Sequence, residues 1–392
     1  MSEGSLRQGR LAAALVTACL LALSSSSAAP VSAGTPFEMG REVFAFFSGG
    51  DRDYMLETAD YDVLTTIAYF ALPVRANGRL DTTTASGRPT SEWTAWTSNW
   101  MTQVIADAHS QGAKVILTVS RFGWSSAGAA DTTALLADEE AHSRLAAAVA
   151  DEVVARGVDG VNLDLEPMFT GYQEEFVALL AELRAALDAR QPGLSLSFDV
   201  TGYSQKYPIA EAVAAGADAV FVMAYPYHTV NSSHAGAVSP MAGMRAGDVT
   251  EAADRAVAAA GADRVILGLP NYGMEWPTAT RRLHSETRSN WTRYGAPRSS
   301  SISRAMGLAD LHGRRWDAEQ LVPWIRWRAQ ACSTCPATWR QLYYDDTQSM
   351  SLKYDLVNER DLLGVGIWQL GTGTDRPDFY DLLVEKFAQA SQ

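Results

Sequence analysis

A chain of 392 residues that is 47% hydrophobic and 20% charged has ample apolar material for a buried core, and too little charge for a disordered segment. Three Cys exclude a disulfide-held miniprotein. A formal charge of −13, from 32 Lys+Arg against 45 Asp+Glu, argues against nucleic acid as the main partner, because such binding needs cations to displace phosphate counterions.

The chain opens with Arg7 and Arg10, an apolar run from Leu11 to Leu23, and a Ser/Ala stretch ending at Val31-Ser32-Ala33. That order of a basic flank, an apolar run and small residues marks residues 1–33 as a secretory signal peptide. The run is shorter than the ~20 residues a membrane-crossing helix needs. Cys19 is a poor acylation site, because Leu20 to Leu23 carry the apolar run past it. No later segment is apolar enough to span a bilayer. The chain is therefore expected to be secreted, extracellular or at the cell wall, without membrane insertion after cleavage.

Residues 34–392 alternate short β-branched or aromatic runs with Ala/Leu-rich helical segments. Val43–Phe47, Val63–Phe70, Lys114–Ser120 and Gly160–Glu166 are the first four predicted strands. Leu194–Val200, Ala219–Tyr225, Val265–Leu269 and Gly364–Leu370 complete eight. Helices are predicted over His142–Arg156 and Tyr172–Arg190, the second ended by Gln191-Pro192-Gly193. Eight strands alternating with helices imply an α/β fold, a (β/α)8 barrel, known as a TIM barrel. An open doubly wound sheet would carry a glycine-rich phosphate loop after its first strand, and none is present. About ninety residues separate strands seven and eight, too many for one connecting helix, so an insertion is expected over about 272–341. Cys332 and Cys335 lie in that insertion. An exported chain favours a local disulfide or free thiols there over zinc, because no second Cys/His pair stands at finger spacing.

The fourth strand, Gly160-Val161-Asn162-Leu163-Asp164-Leu165-Glu166, is followed by Pro167. Side chains alternate along a strand, so Asn162, Asp164 and Glu166 share one face while Val161, Leu163 and Leu165 take the other. Pro167 cannot extend the ladder, which leaves Glu166 at the carboxyl end, where barrel active sites lie. Two neighbouring carboxyls in an inward face cannot both ionise easily, so one pKa rises toward neutrality, as a general acid requires. A buried ion-pair cluster would use the same residue types.

Asp159-Gly160-Val161-Asn162-Leu163-Asp164-Leu165-Glu166 resembles the D-G-x-D-x-D-x-E signature of glycoside hydrolase family 18, the chitinase-like barrels. Met223-Ala224-Tyr225, Gly268-Leu269-Pro270-Asn271-Tyr272-Gly273, Tyr344-Asp345-Asp346 and Gly364 to Gly371 are similar to further segments of that family, in its order. The resemblance implies a retaining hydrolase of β-1,4-linked N-acetylglucosamine glycans, chitin-type or peptidoglycan, that needs neither metal nor organic cofactor. Glu166 would be acid and then base. Asp164 would orient the substrate's acetamido group, Tyr225 would donate to its oxygen, and Trp368 would floor the sugar site. Asn162 stands where the family has an acid, as in its spore-cortex and peptidoglycan-cleaving branch, and is expected to hydrogen-bond Asp164 and to belong to the substrate-binding set. Pro226 replaces an acid that commonly follows Tyr225, and Ser120-Arg121-Phe122-Gly123 departs from S-x-G-G. Trp124, Tyr272, Trp276 and His228 are further candidates for substrate contact, because they follow predicted strands at the active-site end. Trp93, Trp96 and Trp100 fall at helical spacing and are expected on one helix face. The other reading is a catalytically silent glycan-binding protein, which Asn162 and Pro226 allow; retention of Asp164 and Glu166 speaks for the enzyme.

Overall fold

A computed structural model describes residues 37–244, 247–371 and 376–390; the predicted signal peptide lies outside the described residues. The β-branched runs form β1 (Glu42–Ser48), β2 (Thr66–Pro73), β3 (Lys114–Phe122), β4 (Gly160–Glu166), β5 (Ser195–Thr201), β6 (Ala219–Met223), β7 (Val265–Pro270) and β8 (Gly364–Trp368). Each pairs in parallel with the next, and β8 pairs with β1 to close the barrel. The predicted TIM barrel is therefore the observed fold, with all eight expected strands present and their ends displaced by a few residues at most, as in the second, expected over Val63–Phe70 and found over Thr66–Pro73.

Helices form where caps and apolar stripes coincide. The helix Glu139–Arg156 starts at Asp138, whose side chain accepts from the Glu140 N–H, and ends at Gly157 with φ 65°. Glu139 and Glu140 in its first turn and Arg156 in its last suit the helix dipole. Its apolar stripe, Leu145, Val149 and Val153, is buried together with Val161, Leu163 and Leu165 from the outer face of β4. Inside the barrel the rings of Phe44, Phe46 and Phe221 meet at centroid separations of 5.0 to 5.4 Å. Gly268 and Gly366 make room for this plug, since a Cβ at either would lie 2.2 or 2.0 Å from the Phe221 ring.

Between β7 and β8 the chain builds a five-stranded antiparallel sheet, in the order Arg298–Ser301, Tyr272–Thr278, Thr338–Tyr343, Val322–Ala329 and Arg315–Asp317. Part of its Trp and Arg content packs the sheet itself. Trp276 and Trp324 pack on Tyr343, and the buried Glu275 is paired with Arg298, Arg304 and Arg340 at 3.1, 2.8 and 2.6 Å. Cys332 and Cys335 are joined by a disulfide in the loop between two of these strands. Trp93, Trp96 and Trp100 do not share one helix: they fall on Ser91–Trp96 and Asn99–Ser110. Trp96 is buried, donating Nε1–H to Glu152 at 2.7 Å beneath the Arg156 guanidinium. No helix among the described residues is long and apolar enough to cross a membrane.

Candidate active site

The alternation in β4 has the predicted outcome. Glu166 is the last residue of the strand and stays partly exposed, whereas Asp164 is 1% and Asn162 0% exposed. With Asp199 of β5, the two acids form the polar floor of a cleft of about 490 Å³ at the carboxyl ends of the strands. The site predicted from one strand is thus shared by two.

Asn162 does not bond Asp164. Its Nδ2 donates to Asp199 Oδ2 at 2.9 Å, and its Oδ1 accepts from Ser197 Oγ at 2.7 Å. Geometry explains the difference, because inward residues two apart on a strand are separated by about 6.5 Å of backbone while the neighbouring strand is only about 4.8 Å away. Asn162 therefore reaches sideways to β5, with its amide engaged at both ends, and is absent from the cleft wall.

Asp199 was not singled out in the sequence, yet it is 1% exposed and lines the cleft. The paired register of the two strands ends with Leu163 beside Phe198, so Asp164 and Asp199 occupy the next row, both facing inward. Asp164 Oδ1 and Asp199 Oδ1 are buried without a hydrogen-bond partner among the described residues. Burial, and then the charge of Asp199 and Glu166, pushes the Asp164 carboxyl well above the usual carboxylate range. Burial raises Asp199 as well, opposed by the Asn162 hydrogen bond. Glu166 is raised by desolvation to about 7, so it carries a proton for much of the time at neutral pH.

Tyr225 follows the end of β6, and its hydroxyl is buried without a partner among the described residues. Burial and the surrounding acids hold this phenol far above its ordinary pKa, so it remains a donor. Trp368 ends β8 edge-on to Phe46 and Phe70, at 5.4 and 4.5 Å between centroids, and Tyr272 lies across the cleft wall with them. Phe122, Trp124 and Tyr203, 41%, 58% and 42% exposed, form an aromatic rim, of which only Trp124 was expected. Pro226 also lines the cleft.

Besides Asn162, two further candidates for substrate contact lie outside the cleft. Trp276 is 0% exposed, because the chain reverses after β7 and carries it into the added sheet, where its Nε1–H donates to Thr229 O. It has no surface to offer a ligand. His228 packs over Gly236 with its Nδ1 bonded to Ala237 O at 2.7 Å, and it does not line the cleft either. No Lys, Arg or His stands among the described residues of the cleft wall. A floor of acids, one raised to about 7, beneath aromatic faces and beside hydroxyl donors such as Tyr225 suits a neutral, hydroxyl-rich ligand with C–H faces, and can deliver a proton to it.

The sequence pattern described as Glycosyl hydrolases family 18 matches residues 46–373. The chain is similar to YdhD of Bacillus subtilis, whose name describes a sporulation-specific glycosylase, at 26% identity over 61% of this chain and 53% of that one. It is also similar to human di-N-acetylchitobiase, at 23% identity over 54% of this chain and 57% of the relative. The chain thus spans about half the length of these curated relatives. Among solved structures, the chitinase of Cycas revoluta determined with (GlcNAc)4 superposes with a TM-score of 0.71 at 18% identity, covering 88% of this chain and 99% of that one.

Proposed function

Because the chain belongs to glycosyl hydrolase family 18, we propose that it is a secreted retaining glycosidase of β-1,4-linked N-acetylglucosamine glycans, chitin-type oligosaccharides or peptidoglycan. The observation that carries this reading is the Glu166 carboxyl, raised to about 7 by burial at the strand tip and facing the cleft. The names of the relatives, a glycosylase and a chitobiase, support the substrate class. Glu166 hands its proton to the bridging oxygen as the bond from C1 to that oxygen breaks. The substrate's acetamido oxygen closes on C1 to give an oxazolinium ion, the substrate-assisted route that replaces an enzyme nucleophile. Asp164 accepts the acetamido N–H and stabilises the positive charge forming there, while Tyr225 donates to the acetamido oxygen. Glu166, now a carboxylate, takes a proton from the water that attacks C1, and configuration is retained.

Trp368 forms the apolar floor, with Tyr272 and Trp124 as further sugar contacts. Asn162 serves from beneath the floor, through Asp199, and Trp276 and His228 have no substrate role. The test is turnover of a chromogenic chitobioside and of purified peptidoglycan by wild type and Glu166→Gln. The variant is expected to lose turnover while still binding chitooligosaccharides. Equal turnover by both proteins would eliminate the assignment, and binding without turnover by wild type would leave a glycan-binding protein.

A further inference from the structure

The catalytic scheme uses Asp164 but leaves Asp199 and its connection to Asn162 unexplained. Two carboxyls stand in adjacent inward positions of β4 and β5, each almost wholly buried, each with an Oδ1 that has no hydrogen-bond partner among the described residues. Burying two neighbouring carboxylates costs far more than burying one, so such a pair is stable when it holds one proton between its members. The Asp199 side is tethered: Asn162 Nδ2 donates to its Oδ2, and Asn162 is held in turn by Ser197 Oγ. An acceptor with that donor keeps the negative charge more readily than its neighbour.

The groups facing the pair from the surrounding elements do not offer a competing cation. Glu166 stands above it on β4, Tyr225 follows β6, and Tyr203 and Tyr207 follow β5. Tyr272 comes from the added sheet. Tyr207 spends its hydroxyl on Leu165 O at 3.0 Å, so it supplies no proton.

We propose that Asp199 is the proton partner of Asp164: the two hold one proton, and Asp199 carries the negative charge until the reaction begins. The Asp164 O–H donates toward Asp199 Oδ1 in the resting site. As the acetamido oxygen closes on C1, that proton passes to Asp199, and Asp164 becomes the anion beside the new positive charge. No electrons change hands and the net charge of the pair stays at minus one. The arrangement matters because only an interaction stronger in the transition state than in the bound substrate raises kcat. Asp199 is a positioning residue in this scheme, acting on substrate only through Asp164. The inference rests on the hydrolase reading for its kinetic meaning, but the shared proton is a property of the resting protein.

Two measurements test it. The first is difference infrared spectroscopy at neutral pH in a Glu166→Gln background, which removes the other raised carboxyl of the cleft. A protonated carboxyl signal is expected there, and it is expected to vanish when either Asp164→Asn or Asp199→Asn is added. Its absence from the Glu166→Gln protein, or its persistence after Asp199→Asn, would overturn the proposal. Either amide variant decides the matter if the other fails to fold.

The second is kinetic. In Asp199→Asn the new amide donates to Asp164 and fixes the charge there, so kcat should fall about a hundredfold while KM stays level or drops, and the alkaline limb should move upward. Unchanged kcat and pH limb in Asp199→Asn would refute the role. A wild type inactive on every GlcNAc glycan would sink the hydrolase reading, and the infrared result would then still decide whether the proton is shared.

Discussion

Tyr225→Phe separates the demands of the reaction from those of the fold. The substitution removes one oxygen, which is buried and has no hydrogen-bond partner among the described residues. A buried hydroxyl without a partner costs about 1–3 kcal/mol of desolvation, so its loss should raise stability by about 1 kcal/mol once minor relaxation is allowed. With an unfolding entropy of about 2 cal/mol/K per residue over roughly 350 folded residues, that corresponds to a Tm about 1–2 °C higher. Catalysis should respond in the opposite sense. The same hydroxyl is the donor that meets the acetamido oxygen as it attacks, and removing one such donor costs about 10²–10³ in kcat. Scanning calorimetry at a fixed pH and initial rates on a chitobioside give both numbers from one preparation. A variant that is less stable than wild type would mean the hydroxyl has a structural partner. One that turns over at the wild-type rate would mean the acetamido group sits elsewhere.

The pH profile follows from Glu166. Since the acid must hold its proton and its pKa is raised to about 7, kcat/KM is expected to fall tenfold per unit above about pH 7. The same shift makes a stability statement. A carboxyl whose folded pKa lies above its unfolded value favours the folded state fully below the unfolded pKa, near 4.3, and loses that contribution as pH rises through the folded one. Glu166→Gln should therefore gain Tm relative to wild type as pH rises from about 5 to 8; a difference that is constant across this range would refute the burial argument. Trp276→Ala should cost about 3–5 kcal/mol of stability and leave KM of the folded fraction unchanged, because its ring lies in the added sheet; a raised KM with an unchanged Tm would return it to the substrate site. Trp124→Ala, at 58% exposure, should do the reverse, weakening long oligosaccharides about three- to tenfold without a Tm change. Equal affinity for long and short glycans in that variant would remove it from the binding face.

How much of this was legible in the sequence depended on the kind of signal. Period-two alternation placed β4 and its three polar residues correctly, because the tip of the strand and the inward face both follow from local backbone geometry. The same signal was present in β5, where Ser195, Ser197, Asp199 and Thr201 alternate with Leu196, Phe198 and Val200, and it would have pointed to Asp199. What it could not give was the lateral partner: that Asn162 bonds β5 instead of Asp164 depends on strand register, a tertiary property. Trp276 lies outside the cleft for a related reason. Distance in sequence from the end of a strand fixes how far a side chain is from the rim, but not the direction the chain turns, and after β7 it turns into the added sheet. Phe46 and Phe70 stood in strands with the same pattern as core residues, so nothing in their spacing marked them as cleft walls.

The most direct test of the mechanism is the configuration of the first-formed product. Proton NMR followed from the first minutes of chitooligosaccharide hydrolysis should show the new reducing end appearing as the β anomer and then drifting to equilibrium, as retention through an oxazolinium ion demands. An α anomer at the outset would mean that water attacks C1 directly, and would contradict both the acetamido nucleophile and the role of Asp164 in orienting it.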